Sequence, residues 1–152
     1  MSTTIRAEIS KKGKWYISKH RFYELKHFCL QYYEWRDAVD GLTSLSSPSI
    51  DISLGGSGIS DKTGDTAVKR ASMRARMEMI EQAAIAADPD IYTFIFKSVT
   101  QGISYEKLVA SGIPCGRDYF YDRYRKFFWI LDQIRENLPS YNRTSVRFKI
   151  LN

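Results

Sequence analysis

Cysteine and histidine are scarce, two of each in 152 residues. Cys29 and Cys115 fall in no CxxC or Cys/His spacing, so a structural zinc site has almost no ligands to draw on, and neither a metal nor any other cofactor is expected. The two thiols read most simply as buried small hydrophobes. No apolar run approaches the ~20 residues that span a bilayer, which excludes a membrane-spanning helix by this reading. Met1 to Lys14 has no apolar signal core, so nothing directs the chain to secretion, and a cytoplasmic location is expected. Catalytic arrangements are missing too. His20 and His27 sit seven residues apart on one helical segment, and no pair of carboxylates has a setting that suggests acid–base or metal chemistry. The chain is expected to have no catalytic residues and not to be an enzyme. GGSG at 55–58 has neither a preceding strand nor the Gly-Lys-Ser/Thr of a phosphate loop. The tetrapeptide Asp61-Lys62-Thr63-Gly64 matches a pump phosphorylation motif by chance, since the chain lacks the membrane helices of a pump.

What is present is aromatic and basic. Tyr, Phe and Trp make up 14% of the chain, and 23 basic against 17 acidic residues leave a net charge of +6. With 43% hydrophobic and 26% charged residues the composition is globular, and the length suits one domain or two small helical lobes on a shared core. The positive excess lies at the two ends of the chain: +3 in residues 1–41 and +3 in residues 137–152, which hold Arg143, Arg147 and Lys149 and no acid. Such a balance permits nucleic-acid binding without establishing it.

Residues 1–41 read as a basic arm up to Lys14 followed by an aromatic helix over 15–39. Phe22, Leu25, Phe28 and Cys29 recur at helical spacing, Tyr32 and Trp35 continue the stripe, Ser18 is the expected cap and Gly41 the expected stop. Residues 42–64 are rich in Ser, Gly and Thr, hold no aromatic residue and balance their charges, and so read as a flexible linker. Residues 65–136 read as a helical domain. Its first helix runs from Ala67 to Ala87 behind a cap at Asp65 or Thr66, with Val68, Ala71, Ala75, Met79 and Ala83 in one row. Asp88 and Pro89 open a short apolar helix over 91–99, which Gln101-Gly102 closes. Residues 137–152 are a basic tail in which Val146, Phe148 and Ile150 alternate with Arg147 and Lys149, as in a short strand or extended arm. The expected fold is thus all-α, a small helical bundle of about five helices.

Residues 103–136 carry the functional signal. A short helix capped by Ser104 is followed by a turn, Ser111-Gly112-Ile113-Pro114, and a longer helix over 116–136 whose first turns bear Arg117, Asp118, Tyr121, Asp122 and Arg125. This is the layout of a helix-turn-helix, in which the second helix enters the major groove and is anchored by apolar residues at its back, here Phe120, Tyr124, Phe127, Leu131 and Ile134. Arg117, Asp118, Tyr121 and Arg125 are the candidate reading residues, since Arg reaches two acceptors of guanine and Tyr or Arg reaches phosphate. Lys107 and Lys126 are the candidate phosphate contacts. The aromatic helix near the N-terminus is expected to pack on this last helix, because neither can leave so many rings in water.

The order of segments resembles the RinA- and ArpU-like transcriptional activators of Gram-positive phages, whose C-terminal part is like the DNA-binding region 4 of sigma factors. The resemblance rests on ISDKTGDTAVKRA, MEMIEQAAIAA, GRDYFYDRYRKFFWILDQIR and YELKHFCLQYYEW, and covers roughly residues 15–136. It implies sequence-specific binding of double-stranded DNA, control of late phage or prophage genes in a bacterial host, and no catalytic residues. RNA polymerase and a second copy of the chain are the further partners it brings in. One departure is the turn before the last helix, Ile113-Pro114-Cys115-Gly116, where Cys115 or Gly116 takes the place of the usual Ser or Thr cap. Two alternatives share the pattern: a small terminase subunit for viral DNA packaging, which forms large rings, and a non-catalytic protein-interaction module anchored by Trp and Tyr.

Overall fold

A computed structural model describes residues 13–44 and 62–137, and the described residues form six α-helices and no strand. In chain order they are α1 (Lys19–Leu30), α2 (Tyr32–Ser44), α3 (Lys62–Ala87), α4 (Tyr92–Gln101), α5 (Tyr105–Ala110) and α6 (Arg117–Asn137). The fold is an all-α bundle. The expected arm over 1–12, the heart of the expected linker at 45–61 and the basic tail with its alternating segment at 138–152 lie outside the described residues.

The aromatic segment is two helices rather than one. Ser18 caps α1 as expected, its hydroxyl accepting the Arg21 N–H at 3.4 Å. At Gln31 the backbone flattens to φ −81 and ψ −4, and its N–H bonds back to the Phe28 carbonyl at 3.3 Å. That is a tightened last turn, not a reversal, so the apolar stripe runs on from Phe22, Leu25 and Cys29 to Tyr32, Trp35 and Val39. The break re-aims the chain: α1 packs on α4 and α6, while α2 packs on α3. Gly41 does not stop α2, which continues to Ser44. Nor does α3 wait for Asp65; it begins at Lys62, with Asp65 inside its first turn.

α3 and α6 form the centre. α3 contributes small buried residues, Ala83, Ala84 and Ala87 around Ile80, and α6 contributes large ones, Phe120, Phe127, Phe128 and Leu131, so that small faces large across one continuous core. α4 adds Ile95 and Val99, and ends at Gly102, whose φ of 66 places it in the left-handed region that releases a helix. The expected packing of the N-terminal aromatics on α6 is present. Phe22 meets Phe128 edge to face at 4.8 Å, and Trp15 lies 5.3 Å from Trp129. A partly buried ion pair fixes the same contact, with the Arg21 guanidinium donating to the Asp132 carboxylate.

Both cysteines are free. Cys29 is fully buried, and burial pushes its thiol well above the ordinary range; Cys115 is half-buried and also shifted up, by burial first and then by Asp88. At pH 8 a disulfide reagent such as Ellman's is expected to modify Cys115 in the native protein and Cys29 only after denaturation. Rapid release of two equivalents from native protein would contradict this packing.

Candidate nucleic-acid interface

The α5–turn–α6 unit is built by local rules. Ser104 precedes α5 in extended backbone, its carbonyl accepting the Lys107 and Leu108 N–H groups at 3.1 Å. At the far end Gly112, with φ 85, lets the chain turn back: its N–H donates to Val109 and that of Ile113 to Leu108, at 3.0 and 3.2 Å. These two bonds make a Schellman cap, and they close α5 over its buried Leu108. The Tyr105 hydroxyl donates to the Cys115 carbonyl at 2.7 Å, tying the start of α5 to the end of the turn, two residues before α6. Gly116 takes the cap position of α6, its carbonyl accepting the Phe120 N–H at 3.0 Å. No side chain is available there to cap the helix, which leaves Asp118 as the acidic residue in its first turn.

The expected reading residues divide. Arg117 is exposed, 48% by side chain, with its guanidinium over the Tyr121 ring at 5.7 Å and 3.6 Å from the Glu106 carboxylate. Asp118 and Lys107 are exposed, and Arg125 is half-exposed with no carboxylate within ion-pair distance among the described residues. Tyr121 does not join them. It is only 9% exposed, seated between Tyr105 at 6.3 Å and Phe120 at 5.2 Å. The expectation treated α6 as having one buried face, but α1, α3, α4 and the Tyr105 ring together cover a wider arc, and Tyr121 falls within it. It lies beneath the Arg117 guanidinium instead, with little of its side chain exposed.

Lys126 lies on another flank of α6, beside Trp15, which falls in the expected helix over 15–39 but precedes α1. Trp15 packs across the outer side of α6 against Trp129, with the Lys126 ammonium 5.6 Å and the Lys14 ammonium 4.7 Å from its ring. Burial, with Arg123 and Lys14 nearby, holds Lys126 below the ordinary lysine range against the opposing pull of Asp88 and Asp122. The outer side of α6 therefore carries cations at both edges, Arg117 and Arg125 along one and Lys126 with Lys14 along the other, with Asp118 and Asp122 between. The only sequence signal for Trp15 was its position beside the basic cluster Lys11-Lys12-Gly13-Lys14.

A second polar centre supports this helix from behind. The Asp88 carboxylate, buried at the end of α3, accepts the Asp90 N–H at 2.9 Å and the Tyr119 hydroxyl at 2.6 Å, and lies 3.8 Å from Arg123 Nε. Asp88 thus organises the α3–α4 turn and also clamps the first turns of α6, but it is not the cap expected of it: α4 begins at Tyr92 with Ile91 in the cap position, and Asp88 bonds within the turn instead. Among the described residues no group of His, Cys, Asp or Glu is placed to hold a metal ion, and no helix is long and apolar enough to cross a membrane. Compared with family models, curated proteins and solved structures, the chain matches none.

Proposed function

We propose that the chain binds double-stranded DNA through α6, as a non-catalytic regulator of the phage activator type that its segment order resembles. The observation that carries this reading is the N-terminal half of α6, presented beyond a Schellman-capped turn with Arg117, Asp118 and Arg125 facing outward and Lys107 beside them. From Arg117 to Arg125 is eight residues, about 12 Å of helix axis, which matches the ~12 Å width of the major groove. Arg117 and Arg125 would read guanine edges, Asp118 would accept from a cytosine amine, and Lys107 and Lys126 would hold phosphates.

Binding of genomic fragments, measured at two salt concentrations with Arg117→Ala and Lys126→Ala beside the wild type, tests the assignment. Arg117→Ala is expected to weaken the preferred sequence by about 1–3 kcal/mol and relax specificity at one position. Lys126→Ala is expected to weaken all sequences alike and reduce the salt slope by about 0.9. Unchanged affinity in both variants removes α6 from the interface, and no duplex binding at low salt leaves the protein-interaction module as the better reading.

A further inference from the structure

α3 sits at the centre of the bundle, packed against α2, α4 and α6, yet one side of it is bare along most of its length. Val68, Ala71, Ala75, Glu78, Gln82 and Ile85 are all exposed, and they follow one another at alternating steps of three and four, the spacing of a coiled-coil seam. Val68 and Ile85, 52% and 43% exposed, stand at its two ends. Large apolar residues at both ends of the seam, with small alanines and two polar residues between them, suit a partner helix, and their order says which one.

The stripe is symmetric about a point between Arg76 and Met77. A second α3 laid antiparallel on the first, with a twofold axis at that point, sets Val68 against Ile85, Ala71 against Gln82 and Ala75 against Glu78, and then repeats each pair in reverse. The two alanines near the axis let the helices approach closely, near the lower end of the usual ~8–10 Å range. Charge selects the same direction. From Asp65 to Met77 the helix carries Lys69, Arg70, Arg74 and Arg76 against Asp65 alone; from Glu78 to its end at Ala87 it carries Glu78 and Glu81 and no base. An antiparallel copy faces basic half with acidic half, whereas a parallel copy would face like with like. Several of these groups are already engaged within the chain: Arg70 donates to the Leu42 carbonyl, Arg76 lies over Trp35, and Glu81 accepts from Tyr32. Arg74 and Glu78 remain outward, one turn apart and without an ion pair to each other among the described residues.

We infer that the exposed face of α3 is a homodimer interface, in which two chains pair antiparallel through Val68, Ala71, Ala75 and Ile85 and cross-bridge Arg74 of each to Glu78 of the other. The interface is isologous and stands independently of the DNA-binding reading. Sedimentation equilibrium of the full chain over a range from about 1 to 100 µM tests it, with reversals of charge as the probe. The wild type is expected to be a dimer. Arg74→Glu, which brings four acids together at the axis, and Glu78→Arg, which brings four bases together, are each expected to raise the dissociation constant at least about tenfold, the scale of a like-charge juxtaposition. The double variant, Arg74→Glu with Glu78→Arg, restores opposite charges across the twofold and is expected to dimerise again. Both side chains are exposed, so thermal melts of the monomeric species should show the fold intact. A wild type that stays monomeric at 100 µM, an assembly larger than a dimer, a dimer indifferent to the single reversals, or a double variant that remains monomeric overturns the interface.

Discussion

Phe128→Ala is expected to lower the free energy of unfolding by about 3–5 kcal/mol, the usual cost of emptying a phenylalanine site in a core that only partly collapses. Phe128 is fully buried and sits among three rings, Phe22 at 4.8 Å, Tyr124 at 4.9 Å and Phe127 at 5.0 Å, all at edge-to-face angles. Truncation removes its own buried area and also the face against which Phe22 holds α1. Since small proteins are stable by only about 5–15 kcal/mol, the variant should stand close to unfolding at 37 °C. Urea titration followed by circular dichroism should show a lower midpoint with an unchanged slope. A loss below about 1 kcal/mol would show that α1 is not anchored on α6 through this ring. The variant also separates fold from function, because Phe128 reaches none of the cations proposed to touch DNA.

Asp88→Ala is expected to cost about 2–3 kcal/mol, because it takes away the acceptor of the Asp90 N–H and of the Tyr119 hydroxyl and leaves Arg123 without its buried counter-charge. Asp88→Asn keeps one acceptor, enough for the Asp90 N–H, and turns the other position into an amide that can donate to the Tyr119 hydroxyl, so it should cost less. The two are distinguished further by pH. Burial alone would raise the Asp88 carboxyl, but the bonds from Tyr119, Asp90 and Ile91, with the charge of Arg123, outweigh it and draw the pKa below the ordinary aspartate value. A carboxyl lowered in the folded state contributes stability above its unfolded value, about 3.9, and that contribution is lost as pH falls through the folded value. Wild-type stability should therefore fall on acidification below about pH 4, and Asp88→Asn should flatten that limb. An acid limb identical in wild type and Asp88→Asn would assign the acid sensitivity to other carboxylates, such as Glu24 beside Arg21 and Arg135.

Local chemistry was legible in the sequence wherever one residue decides one turn. Ser18 and Ser104 stand before their helices, Gly102 and Gly112 take positive φ where the chain must leave a helix, and α6 begins and ends within a residue of the expected bounds. The break at Gln31 was not legible, because it involves no Gly or Pro and keeps the apolar stripe in register. Gly41 misled for the opposite reason: an exposed glycine inside a helix costs only about 1 kcal/mol relative to alanine, and the packing of α2 on α3 outweighs it. The site was half legible. Asp118 is exposed and Arg125 half-exposed where periodicity placed them, with Arg117 and Lys107 exposed beside them, but the burial of Tyr121 depends on where the Tyr105 ring falls, and helical spacing carries no information about that. Arg21 and Asp132 are 111 residues apart, and nothing local marks either as the other's partner.

That separation has a bearing on how the chain acquires its structure during synthesis. α2 packs on α3 and α3 on α4, successive helices in sequence, so these contacts can form before α6 arrives to complete the centre with α3. α1 is translated before the other described helices, yet the Phe22 and Arg21 side chains rest on Phe128 and Asp132, near the end of the described residues. A nascent chain halted before Arg117 must hold Phe22, Leu25 and Cys29 without the helix that covers them, with a sticky surface open to chaperones and to other nascent chains. Closing so long a loop makes α1 docking a late event, and a chain truncated within α6 should be recovered as aggregate or degraded rather than as a smaller bundle.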